Sequence, residues 1–366
     1  MAGGGPGTHA RFGVALAVKP PPGAASGRRF LRRSQDEPTD LEGHDRRMQE
    51  VGTARPAVVY VLGPGRSGSG VLGRLLSTIP GSVFVGELRR VWSRGLRADR
   101  TCACGRPHAT CPMWSRLLGP GGPLADGRRA GIAAIQRRVA PERLGWRVAL
   151  ARRRLVEAPA PGTPEGRYLA AYAELYDAVA RVTGATLVID TSKSAADAAL
   201  LAHRPGPPTV LVQLIRDPRG VVSSLQRHAA PRTTLGRRAL AVRGSLRWVA
   251  KHLANEALLR RAGPDRSLAI RYEDLVTDPR TAVEAVAKLA GMPAPAERLA
   301  PGVPIPVPEV HGPEGSRRRR FEAPEIVVEL DARWHRELAP VDRWLVTVLT
   351  YPLLRRYDYP VRVPAR

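Results

Sequence analysis

The sequence predicts an α/β fold in which a central parallel sheet carries helices on both faces, giving a three-layer sandwich. Two observations favour this class. Short apolar runs of strand length, rich in valine, alternate along the chain with longer helical segments. Polar motifs follow directly after these runs, where the carboxyl ends of parallel strands place ligand sites. Apolar residues make up 43% of the 366 residues, which is enough for a sizeable core. The sequence contains no run of 18 apolar residues that would indicate a membrane span.

Four apolar runs predict buried strands of this sheet. They are Ala57–Leu62, Thr186–Ile189, Thr209–Ile215 and Ser267–Tyr272. The helices predicted to follow them are Gly70–Thr78, Ala195–His203, Arg219–His228 and Pro279–Ala290. A shorter strand is expected to end near Glu87, and a last helical segment is expected around Leu330–Leu354. The alternation of strands and helices gives one sheet that is covered on both sides.

The chain is predicted to form one folded domain, residues 56–366, after a disordered segment of residues 1–55. The first 55 residues combine glycine, proline and mixed charge without sustained periodicity. Within the domain, residues 115–185 are rich in arginine and alanine and predict a helical insertion on the α/β core. Because no signal-peptide core is recognisable, we expect a cytoplasmic protein.

Arginine supplies almost all of the net charge of +25, with 54 of the 58 basic residues. Between Arg89 and Arg154 there are 16 arginines and three acidic residues. Such a field attracts nucleic acid, an anionic membrane or an anionic substrate, and a solvated arginine-rich surface explains it equally well. Aromatic residues, at 5%, give no sign of a stacking platform, so no nucleic-acid partner is expected.

The segment from residue 63 to residue 70 reads GPGRSGSG and has the composition of a phosphate-binding loop. It lies between a predicted strand and a predicted helix, so backbone N–H groups and the helix dipole would attract an anion. Gly63 and Gly68 have the spacing of a nucleoside-triphosphate loop, but Ser69 stands where that loop requires lysine. Arg66 supplies a forked, charged donor instead. A glycine-rich turn without a ligand is the alternative.

A second motif, LIRDPRGVVSSL, places Arg216 at the end of a predicted strand and Ser224 eight residues later. The strand end brings a guanidinium group to the ligand face, and the following helix brings a hydroxyl group near the same phosphate. Together with the loop, this pair resembles the donor site of the sulfotransferases. These enzymes resemble P-loop NTPases in fold and use 3′-phosphoadenosine-5′-phosphosulfate (PAPS) as the donor.

The resemblance extends from about residue 56 to the C-terminus and implies a role for each motif. The residues it implies at the 5′-phosphosulfate are Gly65, Arg66, Ser67, Gly68, Ser69 and Gly70. Arg216 and Ser224 would bind the 3′-phosphate, and the sulfuryl group would pass to a hydroxyl acceptor. No metal is required in principle, because arginine, lysine and backbone donors can neutralise the charge. A P-loop phosphotransferase, such as a small-molecule kinase, is the alternative; the missing lysine disfavours it.

Glu87 is the residue that the resemblance implies as the general base. It lies in FVGELR, about twenty residues beyond the loop, where tyrosylprotein sulfotransferases and many bacterial relatives carry a Gly-Glu. General-base assistance typically contributes roughly 10²–10⁴-fold to a rate. The alternative is a surface glutamate that is paired with Arg89 or Arg90.

Lys193 is the second predicted catalytic residue, and Arg66 is expected to assist it at the phosphosulfate. Lys193 follows a predicted strand in DTSKS, in a chain that contains just four lysines. Where arginine is the default, a lysine indicates a need for a compact, mobile ammonium group. The resemblance supports contact with the sulfuryl or bridging oxygen; the alternative is a helix-start lysine paired with Asp190 or Asp197.

The segment Val310–Phe321, with the sequence VHGPEGSRRRRF, resembles a loop that closes over the donor in a bacterial branch of the family. That branch has asparagine and proline where this chain has Ser316 and arginine, and this chain has one extra residue before Phe321. Arg319 and Arg320 are the predicted phosphate contacts. A run of four arginines is equally well explained as a solvated basic loop.

All three cysteines lie within ten residues, at Cys102, Cys104 and Cys111, with His108 between them. Free or redox-labile thiols are the first expectation, and a disulfide between Cys104 and Cys111 is geometrically plausible but unexpected in a reducing cytoplasm. Three thiols and an imidazole could also hold zinc, although this is not a standard finger spacing.

The acceptor is expected to bind residues 89–185, whose positive charge favours an anionic or lipid-linked molecule such as a glycolipid. The basic segment Arg128–Leu155, with Trp146, could also lie on anionic lipid, which would make the protein peripheral to a membrane.

Overall fold

A five-stranded parallel sheet forms the centre of the computed structural model, which describes residues 55–93, 101–120, 122–124, 128–141, 157–313 and 323–361. The strands are β1 (Ala57–Leu62), β2 (Ser82–Phe84), β3 (Leu187–Asp190), β4 (Thr209–Ile215) and β5 (Ser267–Arg271). Their spatial order is β2–β3–β1–β4–β5. The segment predicted to be disordered lies outside the described residues as far as residue 54.

The register of the sheet explains why the strands read as unbroken apolar runs. Val58 of β1 lies opposite Val188 of β3 on one side and Thr209 of β4 on the other. Every residue of β4 is buried, as expected for a strand with helices on both faces. The four predicted strands are confirmed, with boundaries that agree to within one residue.

Two groups of helices cover the sheet and complete the predicted three-layer sandwich. The helices are α1 (Ser69–Leu76), α2 (Arg90–Ser93), α3 (Trp114–Leu118), α4 (Arg128–Val139), α5 (Pro164–Thr183), α6 (Ala195–Leu201), α7 (Pro218–Ala229), α8 (Thr234–Ala262), α9 (Tyr272–Thr277), α10 (Pro279–Leu289), α11 (Trp334–Glu337) and α12 (Pro340–Arg356). Helices α1 and α10 contact each other and the sheet, while α5, α6 and α8 form a second connected group that also contacts the sheet.

Aspartate caps set the direction of two helices that leave the sheet. Asp217 accepts a hydrogen bond from the backbone N–H of Arg219 at the start of α7, and Asp278 accepts one from Thr281 at the start of α10. Each cap is followed by a proline at the first helical position, where a missing N–H costs nothing. The cap at Asp217 makes α7 begin directly after β4, which fixes Ser224 relative to Arg216.

Residues 115–185 contain α4, α5 and most of α3, and α5 packs against β3. The described residues of this region are therefore mainly helical, while its status as an insertion and its role in acceptor binding stay predictions. Elements without a counterpart in the sequence-based prediction include the 29-residue helix α8 and an antiparallel pair of short strands, β6 (Pro304–Pro306) and β7 (Glu325–Val327). Among the described residues, no helix combines the length and apolar character that a bilayer crossing requires.

Candidate active site

A cavity of about 940 Å³ opens where the strands of the sheet end. Its wall includes nine of the predicted site residues. Five of them come from four different segments of the chain: Arg66, Glu87, Lys193, Arg216 and Ser224. The loop residues Gly65, Gly68, Ser69 and Gly70 also line it. The carboxyl edge of the parallel sheet therefore gathers both predicted donor motifs and the predicted catalytic pair.

The loop between β1 and α1 has the backbone of an anion site. Gly68 adopts φ 95°, and a Cβ atom there would lie 2.5 Å from the ring of Tyr272, so only glycine fits. No side chain caps the start of α1 at Gly68. The first N–H groups of α1 are thus left for a ligand, and Ser69 and Gly70 lie in the cavity wall.

Arg66 and Lys193 both have left-handed backbone conformations, with φ of 73° and 62°. Such values are uncommon for residues with a Cβ atom and persist only where the surrounding structure fixes them. The backbone N–H of Lys193 donates to the carbonyl of Val61, which ties this residue to the end of β1. Backbone strain therefore coincides with two predicted site residues.

Ser67 differs from the other residues of the loop. Its side chain is fully buried, its hydroxyl has no hydrogen-bond partner, and it does not line the cavity. Its predicted contact with the donor would therefore have to use the backbone.

The phosphate loop and the second motif are in direct contact. Nε of Arg66 donates to Oγ of Ser224 at 3.0 Å, and Nη1 of Arg216 donates to the carbonyl of Arg66 at 3.0 Å. The Arg216 guanidinium also lies 4.4 Å from the ring centroid of Tyr272. The residues predicted to bind the 5′-phosphosulfate and those predicted to bind the 3′-phosphate thus form one hydrogen-bonded network.

Asp331 is a site residue that the sequence-based prediction missed. Its carboxylate lies 3.2 Å from Nη2 of Arg216, 3.4 Å from Nη2 of Arg227 and 2.7 Å from Nε of Arg333. Hydrogen bonds from Arg333, and the charge of Arg216, hold the pKa of Asp331 well below its usual range. Asp331 therefore balances the charge of Arg216 and Arg333 and shares Arg227 with Glu337.

Glu87 and Lys193 form an ion pair, with Oε1 and Nζ 2.7 Å apart. Oε2 of Glu87 lies 2.6 Å from Nε of Arg90, and Nζ of Lys193 also donates to the carbonyl of Thr191. Burial raises the pKa of Glu87, but the charges and hydrogen bonds of Lys193 and Arg90 outweigh it and lower the pKa overall. The alternative for Glu87 was a surface glutamate paired with Arg89 or Arg90, and the ion pair with Arg90 is present beside the one with Lys193.

Asp190 and Asp197, the partners considered for Lys193, have other roles. Asp197 pairs with Arg89 at 2.8 Å, and Asp190 accepts from the hydroxyl of Tyr176 at 2.8 Å and from the backbone N–H of Ser192. Burial raises the pKa of Asp190 to about 6. Asp190 therefore holds the loop that carries Lys193, while Asp197 holds Arg89.

Lys251, on α8, is a second residue that the prediction missed. Its ammonium group donates to the carbonyls of Lys193 at 3.2 Å and Gly63 at 3.4 Å, at the edge of the phosphate loop. Burial, reinforced by the charges of Arg247 and Lys193, lowers the pKa of Lys251 to about 7. The chain contains four lysines, and this rarity, which drew attention to Lys193, could have identified Lys251 in the same way.

The depressed pKa of Lys251 predicts a pH-dependent stability. Because its folded pKa lies below its unfolded value, the unfolded chain binds more protons, and the free energy of unfolding should rise with pH between about 7 and 10, by at most about 1.4 kcal/mol per unit. Replacing Lys251 with methionine should remove this contribution. Urea unfolding at pH 7, 8 and 9 measures it, with the exposed Lys288→Met as the control. Equal slopes in wild type and Lys251→Met would contradict the assignment.

Arg319 and Arg320 lie outside the described residues. The described residues on either side, Pro313 and Ala323, both line the cavity. Arg74 of α1 donates to the carbonyls of Ala323 and Glu325, which holds the segment before β7 against the helix of the phosphate loop.

The three cysteines are free thiols, and the sulfur atoms of Cys104 and Cys111 lie 3.9 Å apart. The first expectation, free thiols, therefore agrees with the structure, and the alternative disulfide between Cys104 and Cys111 is not formed. His108 packs edge-on against Trp114, with ring centroids 6.1 Å apart. The imidazole that lies beside the thiols belongs to His311, 200 residues along the chain from Cys111.

The family model described as "Sulfotransferase family" matches residues 56–296. Comparison with curated proteins gives no significant match.

Among solved structures, the chain is similar to the sulfotransferase domain of the Synechococcus PCC 7002 olefin synthase, with 19% identity, coverage of 85% of this chain and 96% of that chain, and a TM-score of 0.41. The sulfotransferase domain from the curacin biosynthetic pathway has 15% identity, coverage of 85% and 100%, and a TM-score of 0.45. A sulfotransferase from Alicyclobacillus acidocaldarius has 14% identity, coverage of 84% and 95%, and a TM-score of 0.39. Since the family model spans more than half of the chain, this protein belongs to the sulfotransferase family.

Proposed function

We propose that the protein transfers the sulfuryl group of PAPS to a hydroxyl group of an acceptor. The observation that supports this most strongly is the meeting, in one cavity, of a phosphate loop without lysine and the Arg216–Ser224 pair. A nucleoside triphosphate would leave the second anion site without a ligand. A donor with phosphate groups on both the 3′ and the 5′ side of the ribose would use both.

The donor would be bound by charge as well as by shape. The loop amides of residues 65–70 would take the 5′-phosphosulfate, and Arg216 with Ser224 would take the 3′-phosphate. The 3′-phosphate would replace Asp331 as the principal anionic partner of Arg216. Lys251, beside the loop, would gain a proton when the anion binds, because a nearby negative charge raises the pKa of a lysine.

The proposed chemistry uses the Glu87–Lys193 pair. The acceptor oxygen attacks sulfur, a new S–O bond forms, and the S–O bond to the 5′-phosphate breaks in line with it. Glu87 takes the hydroxyl proton, and Lys193 stabilises the charge on the transferred group and the leaving phosphate. Lys193 would thus exchange its ion pair with Glu87 for the donor, which frees Oε1 of the carboxylate to act as a base while Oε2 keeps its pairing with Arg90.

Ligand-induced thermal stabilisation tests the donor assignment. Adenosine 3′,5′-bisphosphate, the product of the proposed transfer, should raise the melting temperature at concentrations well above its Kd, and by more than ADP or ATP with magnesium at the same concentration, because these lack a 3′-phosphate. Stabilisation by magnesium ATP and not by the bisphosphate would favour the phosphotransferase alternative and overturn the proposal.

For the acceptor, we propose an anionic or lipid-linked molecule that is bound by residues 89–185. Arg89 and Arg90, from the start of this region, line the cavity. The proposed lipid-facing segment, residues 128–155, is described as far as residue 141, where α4 carries Arg128, Arg129, Arg137 and Arg138. Labelled PAPS with a lipid and carbohydrate extract would test the proposal, and labelling confined to neutral soluble acceptors would contradict it.

A further inference from the structure

Four side chains with metal-binding atoms meet beside the cavity, and none of them has a role in the proposed chemistry. They are Cys102, Cys104, Cys111 and His311, whose sulfur and imidazole nitrogen atoms all lie within 4.8 Å of one another. Nδ1 of His311 is 3.5 Å from Sγ of Cys111 and 3.9 Å from Sγ of Cys102. Two segments about 200 residues apart therefore contribute to one cluster.

Two of the distances in this cluster match the edges of a zinc tetrahedron, and all of the ligand atoms lie within 4.8 Å of one another. With Zn–S bonds of about 2.3 Å and Zn–N bonds of about 2.0 Å, tetrahedral geometry places two sulfurs about 3.8 Å apart and a sulfur about 3.5 Å from the nitrogen. The observed separations are 3.9 Å for Cys104 and Cys111 and 3.5 Å for Cys111 and His311. We propose that these four residues bind one zinc ion as a Cys₃His site.

The surroundings of His311 support the assignment. Nδ1 points to the sulfurs, while Nε2 lies 3.4 Å from a carboxylate oxygen of Glu309. A histidine that binds a metal through one nitrogen commonly donates its other N–H to a carboxylate, which fixes the tautomer and the ring orientation. Glu309 provides such a partner two residues away.

The backbone around the cysteines forms a turn that aims the thiols inward. The N–H of Cys102 donates to the carbonyl of Arg106 at 2.8 Å, and the N–H of Gly105 donates to the carbonyl of Cys102 at 3.0 Å. Cys102 and Cys111 are fully buried. Three soft thiolates and an imidazole select zinc over hard cations such as magnesium, and four protein ligands leave no open position, which is typical of a structural site.

Zinc at this position would hold the cavity wall next to Glu87. The backbone N–H of Ala103 donates to the carbonyl of Gly312 at 3.2 Å, and both residues line the cavity. A Cβ atom at Gly86, the residue before Glu87, would lie 3.2 Å from Cα of Gly312. The ion would thus tie the cysteine turn to the chain at residues 310–313, which abuts the predicted base.

Metal analysis of the full-length protein, expressed with zinc in the medium and desalted, tests the site directly. We expect about one zinc per chain in the wild type, and its loss in His311→Ala and in Cys111→Ser. His311→Cys should keep the zinc as a Cys₄ site, and His203→Ala, two residues after the end of α6, should keep it as the control. Equal zinc in wild type and His311→Ala would overturn the proposal.

Thiol titration gives a second test that needs no variant, because all three cysteines of the chain belong to the cluster. The native protein should protect its thiols from a thiol reagent until a chelator removes the zinc, and three thiols should then react. Cobalt added to the zinc-free protein should give the absorption bands of a tetrahedral thiolate complex. Three reactive thiols without bound metal, or one reactive thiol because Cys104 and Cys111 form a disulfide, would overturn the proposal.

Discussion

Glu87→Gln is expected to lower kcat by roughly 10²–10⁴-fold, because the amide cannot accept the acceptor's hydroxyl proton. Nucleotide binding should persist, since glutamine keeps the size of the side chain and removes a negative charge from a cavity that receives an anionic donor. Lys193 would lose its ion pair, so affinity for adenosine 3′,5′-bisphosphate should stay the same or increase. Initial rates with labelled PAPS and calorimetric titration of the bisphosphate measure the two effects separately.

The matched control for this variant is Glu284→Gln on α10, where the glutamate forms an exposed pair with Arg280. It makes the same chemical change away from the cavity and should leave both rate and affinity unaltered. If Glu87→Gln retains near-normal turnover, Glu87 is not the base. If it loses both turnover and nucleotide affinity, the residue holds the cavity together rather than accepting a proton.

The sheet could be predicted because its signal is local. Buried parallel strands need apolar side chains on both faces, so β1 and β4 stand out as continuous runs between turn residues. Helix α8 escaped prediction because arginines are spread along its length and its apolar residues do not form one clear stripe. The pair β6–β7 was not predicted because each strand has three residues, too few for a recognisable pattern, and each is stabilised by pairing with the other.

The site shows the same division between local and long-range signals. Arg66, Arg216 and Ser224 lie in motifs whose spacing is visible in the sequence, and the structure brings them together. Asp331 reaches Arg216 from 115 residues away, and nothing near it in the sequence indicates that contact. His108 was the obvious histidine beside the cysteines, yet His311 takes that place because the fold returns the chain to the cysteine turn.

Ser224→Ala is expected to weaken binding of adenosine 3′,5′-bisphosphate about 10- to 100-fold, since a hydrogen bond to a charged group contributes about 1.5–3 kcal/mol. Binding of 5′-AMP, which lacks the 3′-phosphate, should change little. Arg216→Lys should act in the same direction, because an ammonium group keeps the charge but cannot form the forked contact of a guanidinium. The ratio of the two nucleotide affinities, from calorimetric titration, is therefore the quantity to measure.

Ser223→Ala is the control that separates recognition from folding. Ser223 is buried on the same helix, but its hydroxyl accepts from Arg227 and does not line the cavity. The variant should preserve the ratio of bisphosphate to 5′-AMP affinity, even if it alters stability. If Ser224→Ala and Ser223→Ala change the ratio equally, Ser224 does not contact the 3′-phosphate. If Ser224→Ala weakens both nucleotides to the same extent, its hydroxyl acts through Arg66 on the 5′ side instead, because Arg66 is its hydrogen-bond partner.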